Sequence, residues 1–379
     1  QSRNASASLV NEVHQYRAEA RFLRALSYWH GLDLFGNIPL VTEDFQIGAT
    51  PPKQSTRAEV FNYVVGELNA IRGELPAAGA GEYGRADRGA VDMLLAKLYL
   101  NAAVYTGTPR YADAMTAVQN VIGSSAYTLD PSYRHLFLAD NNTSHELIFA
   151  VPFDGRRTRT WGGMTFLVHA AVGGSMDPAA FGINGGWWGL RVRPEVYTLY
   201  TAGDSRGAFF YTPGQTLDIG SIGNFTDGVG APKYQNVTST GQAGSNADFP
   251  DTDFPMFRLG DAYLMYAEIF LRGGGGTQAQ ALAYVNALRQ RAYGNASGNI
   301  TAAQLTLGFI KDERARELFW EAHRRTDLVR FGQFTSAGIW QWKGGVKPGK
   351  LTDPTRNIFP IPSSELLANP NLTQNAGYP

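Results

Sequence analysis

Residues 13–35 read VHQYRAEARFLRALSYWHGLDLF, and the spacing of their apolar residues sets the fold class. Ala18, Phe22, Ala25, Leu26 and Trp29 recur three and four positions apart, which places them on one face of an amphipathic helix. Gly36 and Pro39 then stop it. The upstream run QSRNASASLVNEV leads into the same periodicity, so the helix is expected to begin near the first residues.

Working outward, the pattern returns. STRAEVFNYVVGELNAIRGEL (55–75) opens on a Ser55 or Thr56 cap, with Glu59 completing a capping box if Thr56 is the cap. RGAVDMLLAKLYLNAAVY (88–105) is a third helix. PRYADAMTAVQNVIG (109–123) is a fourth, with Pro109 near its first turn and Gly123 at its end. Helices resume at MFRLGDAYLMYAEIFLRGG (256–274), where Leu259, Tyr263, Tyr266 and Phe270 form the stripe. Thr277 caps the next, with Leu282, Val285, Leu288 and Ala292 as its stripe. LGFIKDERARELFWEAHRRTDLVRFG (307–332) reads as the last long helix. Helix pairs at this spacing suggest a tetratricopeptide-like arrangement, although the consensus letters of that repeat are missing.

Between the two helical blocks the chain changes character. Over 124–254 Gly, Asn, Asp, Thr and Pro crowd in, and LIFAVPF (147–153) is the clearest strand. So long an irregular stretch inside a folded chain is usually functional. The expected layout is one mostly α domain over 1–379. It comprises a helical scaffold (1–123), a loop-rich ligand-binding insertion (124–254), more scaffold (255–335) and a C-terminal loop segment (336–379).

Composition narrows the function. Lys plus Arg equals Asp plus Glu at 33 each, so no basic excess exists to hold nucleic acid or anionic lipid. The absence of cysteine removes disulfides, thiolate metal sites and cysteine nucleophiles. The six histidines show no metal spacing, and HExxH and GxSxG are absent. Asp251 and Asp253, or Asp218 and Asp227, are paired carboxylates of the kind a glycosidase or a calcium site uses. Loop aspartates more commonly make turns and caps. No catalytic residue, metal ligand or cofactor is therefore expected, with calcium as the one alternative. The charged run DERARELFWEAHRR (312–325) reads as a salt-bridged helix flank, with Asp312–Arg316 and Glu321–Arg325 pairs and with Leu318 and Phe319 in the core.

The aromatic loops remain. In FGINGGWWGLR (181–191) two adjacent tryptophans, Trp187 and Trp188, stand among glycines that disfavour helix and strand alike. Trp161 lies beside glycines in RTWGGMTFLVHA (159–170), and Trp340 and Trp342 lie in IWQWKGGVKPGK (339–350). An exposed indole matches the C–H face of a pyranose, while nearby polar groups take its hydroxyls. One of the pair is expected to plug the core and the other to be presented. If both were buried, the protein would be a helical scaffold without a small ligand.

Taken together, RAEARFLRALSYWHGLDLFGNIPLV (17–41), FRLGDAYLMYAEIFLRGG (257–274), ERARELFWEAHRRTDLVRFGQF (313–334) and NIFPIPSSELLANPNLTQNAGYP (357–379) resemble the SusD/RagB family of outer-membrane nutrient-binding lipoproteins. The middle segments are closest to its starch-binding branch. The resemblance implies a SusD-like α-α superhelix under a loop-rich binding half. It implies capture of oligosaccharide without chemistry, as a lid on a SusC-like TonB-dependent transporter at the extracellular face of the outer membrane. It also implies a further N-terminal part bearing the lipidated cysteine. The ligand-binding residues it suggests are Trp187 or Trp188, then Trp161, with Asn184 and Arg191 as hydroxyl partners by proximity. A RagB-like peptide-capturing subunit and a glycoside hydrolase are the alternatives.

Overall fold

Ser6 caps the first helix by accepting the Leu9 N–H on its hydroxyl, and α1 runs over Ala7–Phe35. The computed structural model describes residues 6–46, 48 and 50–379; the expected helical start at 1–5 lies outside them. Ala18, Phe22, Ala25, Trp29 and Leu32 form the buried face of α1, and each large side chain contributes about 1.5–3 kcal/mol by leaving water. An aspartate at Phe22 would put an unpaired charge in that seam.

A minimal ladder of β1 (Ile38–Pro39) and β2 (Gln54–Ser55) leads to α2 (Arg57–Ile71). Thr56 is its cap and the box with Glu59 is complete. Next come α3 (Arg88–Leu100), the short α4 (Ala102–Thr106) and α5 (Tyr111–Gly123). Strand β3 (Leu147–Val151) enters the loop-rich half, which carries α6 (Gly163–Ala170), β4 (Arg191–Val192), α7 (Pro194–Tyr197) and β5 (Val229–Gly230). The chain leaves through β6 (Phe254–Arg258) into α8 (Leu259–Leu271), α9 (Gln278–Tyr293), α10 (Leu307–Glu317), α11 (Arg324–Arg330) and α12 (Ser363–Ala368). The fold is mostly α, with few short strands among the described residues.

α1 packs on α2, α3 on α5, and α8 on both α5 and α9. One apolar core therefore runs from Ala18 to Leu318 and joins helices on either side of the loop-rich half. A second, smaller core under the loops gathers Phe137, Met164, Val168, Ile183, Phe225 and Tyr234. β3 and β6 pair antiparallel, Leu147 opposite Arg258 and Val151 opposite Phe254, so the entry and exit of the loop-rich half lie side by side.

Two expectations need correction. The last long helix is two: α10 ends at Glu317, and Trp320 and Ala322 take left-handed backbone (φ 61° and 63°) before α11 begins. The charged run is salt-bridged and Leu318 and Phe319 are buried, but its pairs are not the expected ones and its glutamates are inside. Arg316 pairs with Glu313, not Asp312, and Arg325 pairs with Asp33, not Glu321. Glu313, Glu317 and Glu321 are buried. Arg206 from the loop-rich half donates to Asp204, Glu313 and Glu317. Arg258 donates to Glu146, Glu317 and Glu321; Arg291 reaches Glu146 and Glu317; Lys233 reaches Glu321. This dry ionic network joins the loops to α9 and α10. The neighbouring guanidinium groups, Arg291 first, hold the Glu317 carboxyl well below its usual range against the cost of burial. Burial pulls Lys233 down to about 8, with Glu321 opposing.

Candidate ligand-binding site

The Trp187–Trp188 loop is held by the end of α6. A helix leaves its last carbonyls without intrahelical partners. Here loop N–H groups supply them: Trp187 donates to the His169 carbonyl (2.9 Å), Gly189 and Leu190 to that of Ala170 (2.9 and 2.7 Å), and Trp188 to that of Val172 (3.1 Å). Gly186 permits this approach, since a Cβ there would lie 2.3 Å from the Val172 carbonyl oxygen. Trp188 itself has φ of 58°, which a bulky residue adopts only when its surroundings impose it.

The two indoles diverge, and neither is a core plug: Trp187 is 40 % exposed and Trp188 57 %. The expectation that one would be buried is overturned, and so is the burial of both that a ligand-free scaffold called for. Trp187 stacks on His169 (4.9 Å between centroids, 22°), whose ring nitrogens face the carbonyl oxygens of Gly185 (2.7 Å) and Asp248 (3.0 Å). Trp161, 62 % exposed, lies 6.2 Å from Trp187 and 4.9 Å from Phe249. Phe166, on the outer side of α6, lies 6.3 Å from Trp187. Trp188 turns the other way, towards Phe225 (5.8 Å). Trp161, Phe166 and Trp187, with the half-buried Phe249, thus form one aromatic face, its Trp187 loop fixed by hydrogen bonds, and Trp188 presents a second ring beyond it.

The polar candidates hold loops. The Asn184 side-chain amide donates to Asp248, which fixes the segment carrying Phe249. Arg191 donates to the carbonyls of Ile222 and Asn224 and lies over Phe225 (5.8 Å), so its guanidinium secures the loop beneath Trp188. Burial pulls Arg191 below its ordinary value. Arg159, exposed and 5.9 Å from the Phe249 centroid, is the cation beside the aromatic face. The sequence reading missed Phe166, Phe249, His169 and Arg159. Phe166 was reachable, because it sits five residues after Trp161 in the same glycine-flanked segment.

The loop carboxylates serve the loops. Asp251 accepts from the N–H groups of Gly155 and Ser245, and Asp253 from the Phe153 N–H and the Tyr83 hydroxyl. Asp227 accepts from the Ser221 N–H, and Asp218 from Gln341 and Lys347. Burial pushes the Asp253 carboxyl above its usual range. Among the described residues no three His, Asp or Glu side chains converge to hold a metal ion. None of the described helices is long and apolar enough to cross a membrane.

Comparison with known proteins gives this geometry a context. A sequence model of the SusD family matches residues 210–378. The chain is 36% identical to the starch-binding protein SusD of Bacteroides thetaiotaomicron, over 97% of this chain and 73% of that protein. Among solved structures, surface glycan-binding protein A of Bacteroides fluxus superposes with a TM-score of 0.78 at 25% identity, covering 99% of this chain and 80% of the other. A laminarin-binding SusD-like protein superposes with a TM-score of 0.75 at 26% identity, again over 99% and 80%. These relatives are named for binding and not for catalysis.

Proposed function

This chain belongs to the SusD family, and on that premise we propose that it is a non-catalytic cell-surface glycan-binding subunit that captures starch or malto-oligosaccharides for a TonB-dependent outer-membrane importer. The aromatic face carries this reading. Trp161, Trp187, Phe166 and Phe249 offer adjacent ring surfaces, with the Trp187 loop held by hydrogen bonds to the end of α6. Pyranose C–H faces gain dispersion against such rings, and pre-ordered aromatics lose little entropy on binding. Trp188 extends the surface to a second direction, which suits a curved chain over a single sugar. The resemblance to the starch-binding branch supports the α-glucan, and the family supports a SusC-like partner and a lipid anchor upstream of this sequence.

Affinity electrophoresis tests the ligand. The protein and a Trp187→Ala/Trp188→Ala variant are run through gels with and without amylopectin, and released reducing sugar is assayed in parallel. Retardation that disappears in the variant, without sugar release, is the expected result. Retardation unchanged in the variant refutes the assignment of the face. Retardation by laminarin and not by amylopectin moves the ligand to a β-glucan.

A further inference from the structure

The segment after α11 folds into a cleft of about 700 Å³, distinct from the aromatic face. Its aromatic walls are Phe334, Trp340 and Trp342. Phe334 and Trp340 lie 6.2 Å apart at 38°. Trp342 is fixed by donation from its indole N–H to the Ile219 carbonyl (2.8 Å) and has left-handed backbone, φ 65°. A bulky residue held in that region is a feature of binding sites as well as of tight turns.

Charge distinguishes this cleft. Arg193, Lys350 and Arg356 line it, and among the described residues their side chains meet no hydrogen-bond acceptor and no carboxylate within ion-pair distance. The buried Lys343 ammonium lies 4.3 Å from the Trp340 centroid and donates to the carbonyls of Thr335 and Gly338, so no carboxylate offsets it. Two acids stand close by: Asp353 lines the cleft itself, near Arg356, and Glu195 lies near Arg193. Asp353 accepts the Thr355 N–H (2.9 Å), and Glu195 accepts the Gln341 N–H (2.8 Å). Burial pulls Lys343 below its ordinary value. Against the one carboxylate in its lining, Asp353, the cleft sets four cations, Arg193, Lys343, Lys350 and Arg356, so a chain with formal net charge zero concentrates positive charge beside two indoles.

We infer that this cleft is a second carbohydrate site, selective for a pyranose unit that carries a carboxylate or a sulfate ester. The ring's C–H face rests on Trp340 and Trp342, and the anion is held by the guanidinium forks of Arg193 and Arg356, with Lys350 as a point charge. A neutral sugar leaves those cations unpaired, so selectivity comes from the charge and affinity is shared with the rings. The site uses none of the residues of the Trp161–Trp187 face and does not depend on the starch reading.

Isothermal titration with trigalacturonic acid, a sulfated galacto-oligosaccharide and maltoheptaose tests it. Arg193→Gln/Arg356→Gln removes two exposed charges that make no internal bond, so the fold is retained. Trp340→Ala removes a ring, and Trp187→Ala/Trp188→Ala serves as the control. One or both acidic ligands are expected to bind, and the one that binds identifies the anion. Their affinity is expected to fall roughly tenfold or more in the double-Arg variant and in Trp340→Ala, and to weaken with salt. The Trp187/Trp188 variant keeps it, and maltoheptaose binding is unchanged by the double-Arg change. Failure of the wild type to bind either acidic ligand overturns the inference. So does full acidic binding in the double-Arg variant, or loss of acidic binding in the Trp187/Trp188 variant.

Discussion

Replacing Arg258 by Met tests whether the buried ionic network holds the two halves together. Arg258 makes five hydrogen bonds, to Glu146, to Glu321 twice, and to the side chain and carbonyl of Glu317, at 2.6–2.9 Å. At about 1.5–3 kcal/mol for each charged bond, their simple sum exceeds 7 kcal/mol. The real loss is smaller because the acids keep other cations: Glu317 retains Arg206 and Arg291, Glu146 retains Arg291, and Glu321 retains Lys233. Breaking one buried partnership in this way costs about 3–5 kcal/mol. With an unfolding entropy of about 2.1 cal/mol/K per residue, a chain of this length unfolding as one unit loses roughly 4–6 °C in Tm. Thermal unfolding followed by circular dichroism reads this directly. Lys347→Met, which breaks a half-exposed pair with Asp218, is the reference and should move Tm by about 1 °C or less. Equal small shifts in the two variants would show that the methionine packs as well as the guanidinium did, and the network could not then be what fixes the loops on α10.

Two further outcomes follow from single contacts. Gly186→Ala places a Cβ against the Val172 carbonyl. It should cost about 1–3 kcal/mol by overpacking and abolish amylopectin retardation as fully as removing the Trp pair; wild-type mobility in the gel would mean that the α6 carbonyls do not set the loop. His323 lies 3.4 Å from Lys97 and faces Asp261, Arg314 and Asp327, with its side chain 13 % exposed. Burial, then the neighbouring Lys97, pulls it down to about 4. The unfolded chain therefore takes up this proton first, and stability should fall as pH drops from 6.5 towards 4, by roughly 3 kcal/mol from this group alone. Urea midpoints across that range should fall more steeply for the wild type than for His323→Gln, and parallel slopes would rule the assignment out.

The helical half was legible because its signals are local. Apolar spacing in α1, the capping box at Thr56 and the Thr277 cap depend on neighbours within a turn or two, and each stands where the pattern put it. The break at Trp320 and Ala322 was not legible, since left-handed backbone at such residues is imposed by tertiary packing and has no letter of its own. The charged run misled for the same reason: the partners of Glu313, Glu317 and Glu321 include Arg206, Lys233, Arg258, Arg289 and Arg291, brought in from other elements. At the candidate site, residue type was readable and proximity was not. Trp161 and Trp187 stood out as aromatic residues among glycines, while Phe249 joins them only through the folding of a distant loop. Arg191, chosen for nearness in sequence, hydrogen-bonds the carbonyls of Ile222 and Asn224, contacts that no local pattern shows.

The β3–β6 ladder separates what must stay constant from what can change. Strands paired this way hold opposite residues about 4.5–5.5 Å apart, so everything between Val151 and Phe254 is an excursion whose ends meet at one doorway. Lengthening such an excursion costs only slowly growing closure entropy. A lineage can thus rewrite its recognition surface by exchanging this segment while the helices beneath keep their packing. A protein engineer can do the same, transplanting the excursion of one relative onto the scaffold of another, provided that the cations it carries, here Arg206 and Lys233, still find Glu313, Glu317 and Glu321.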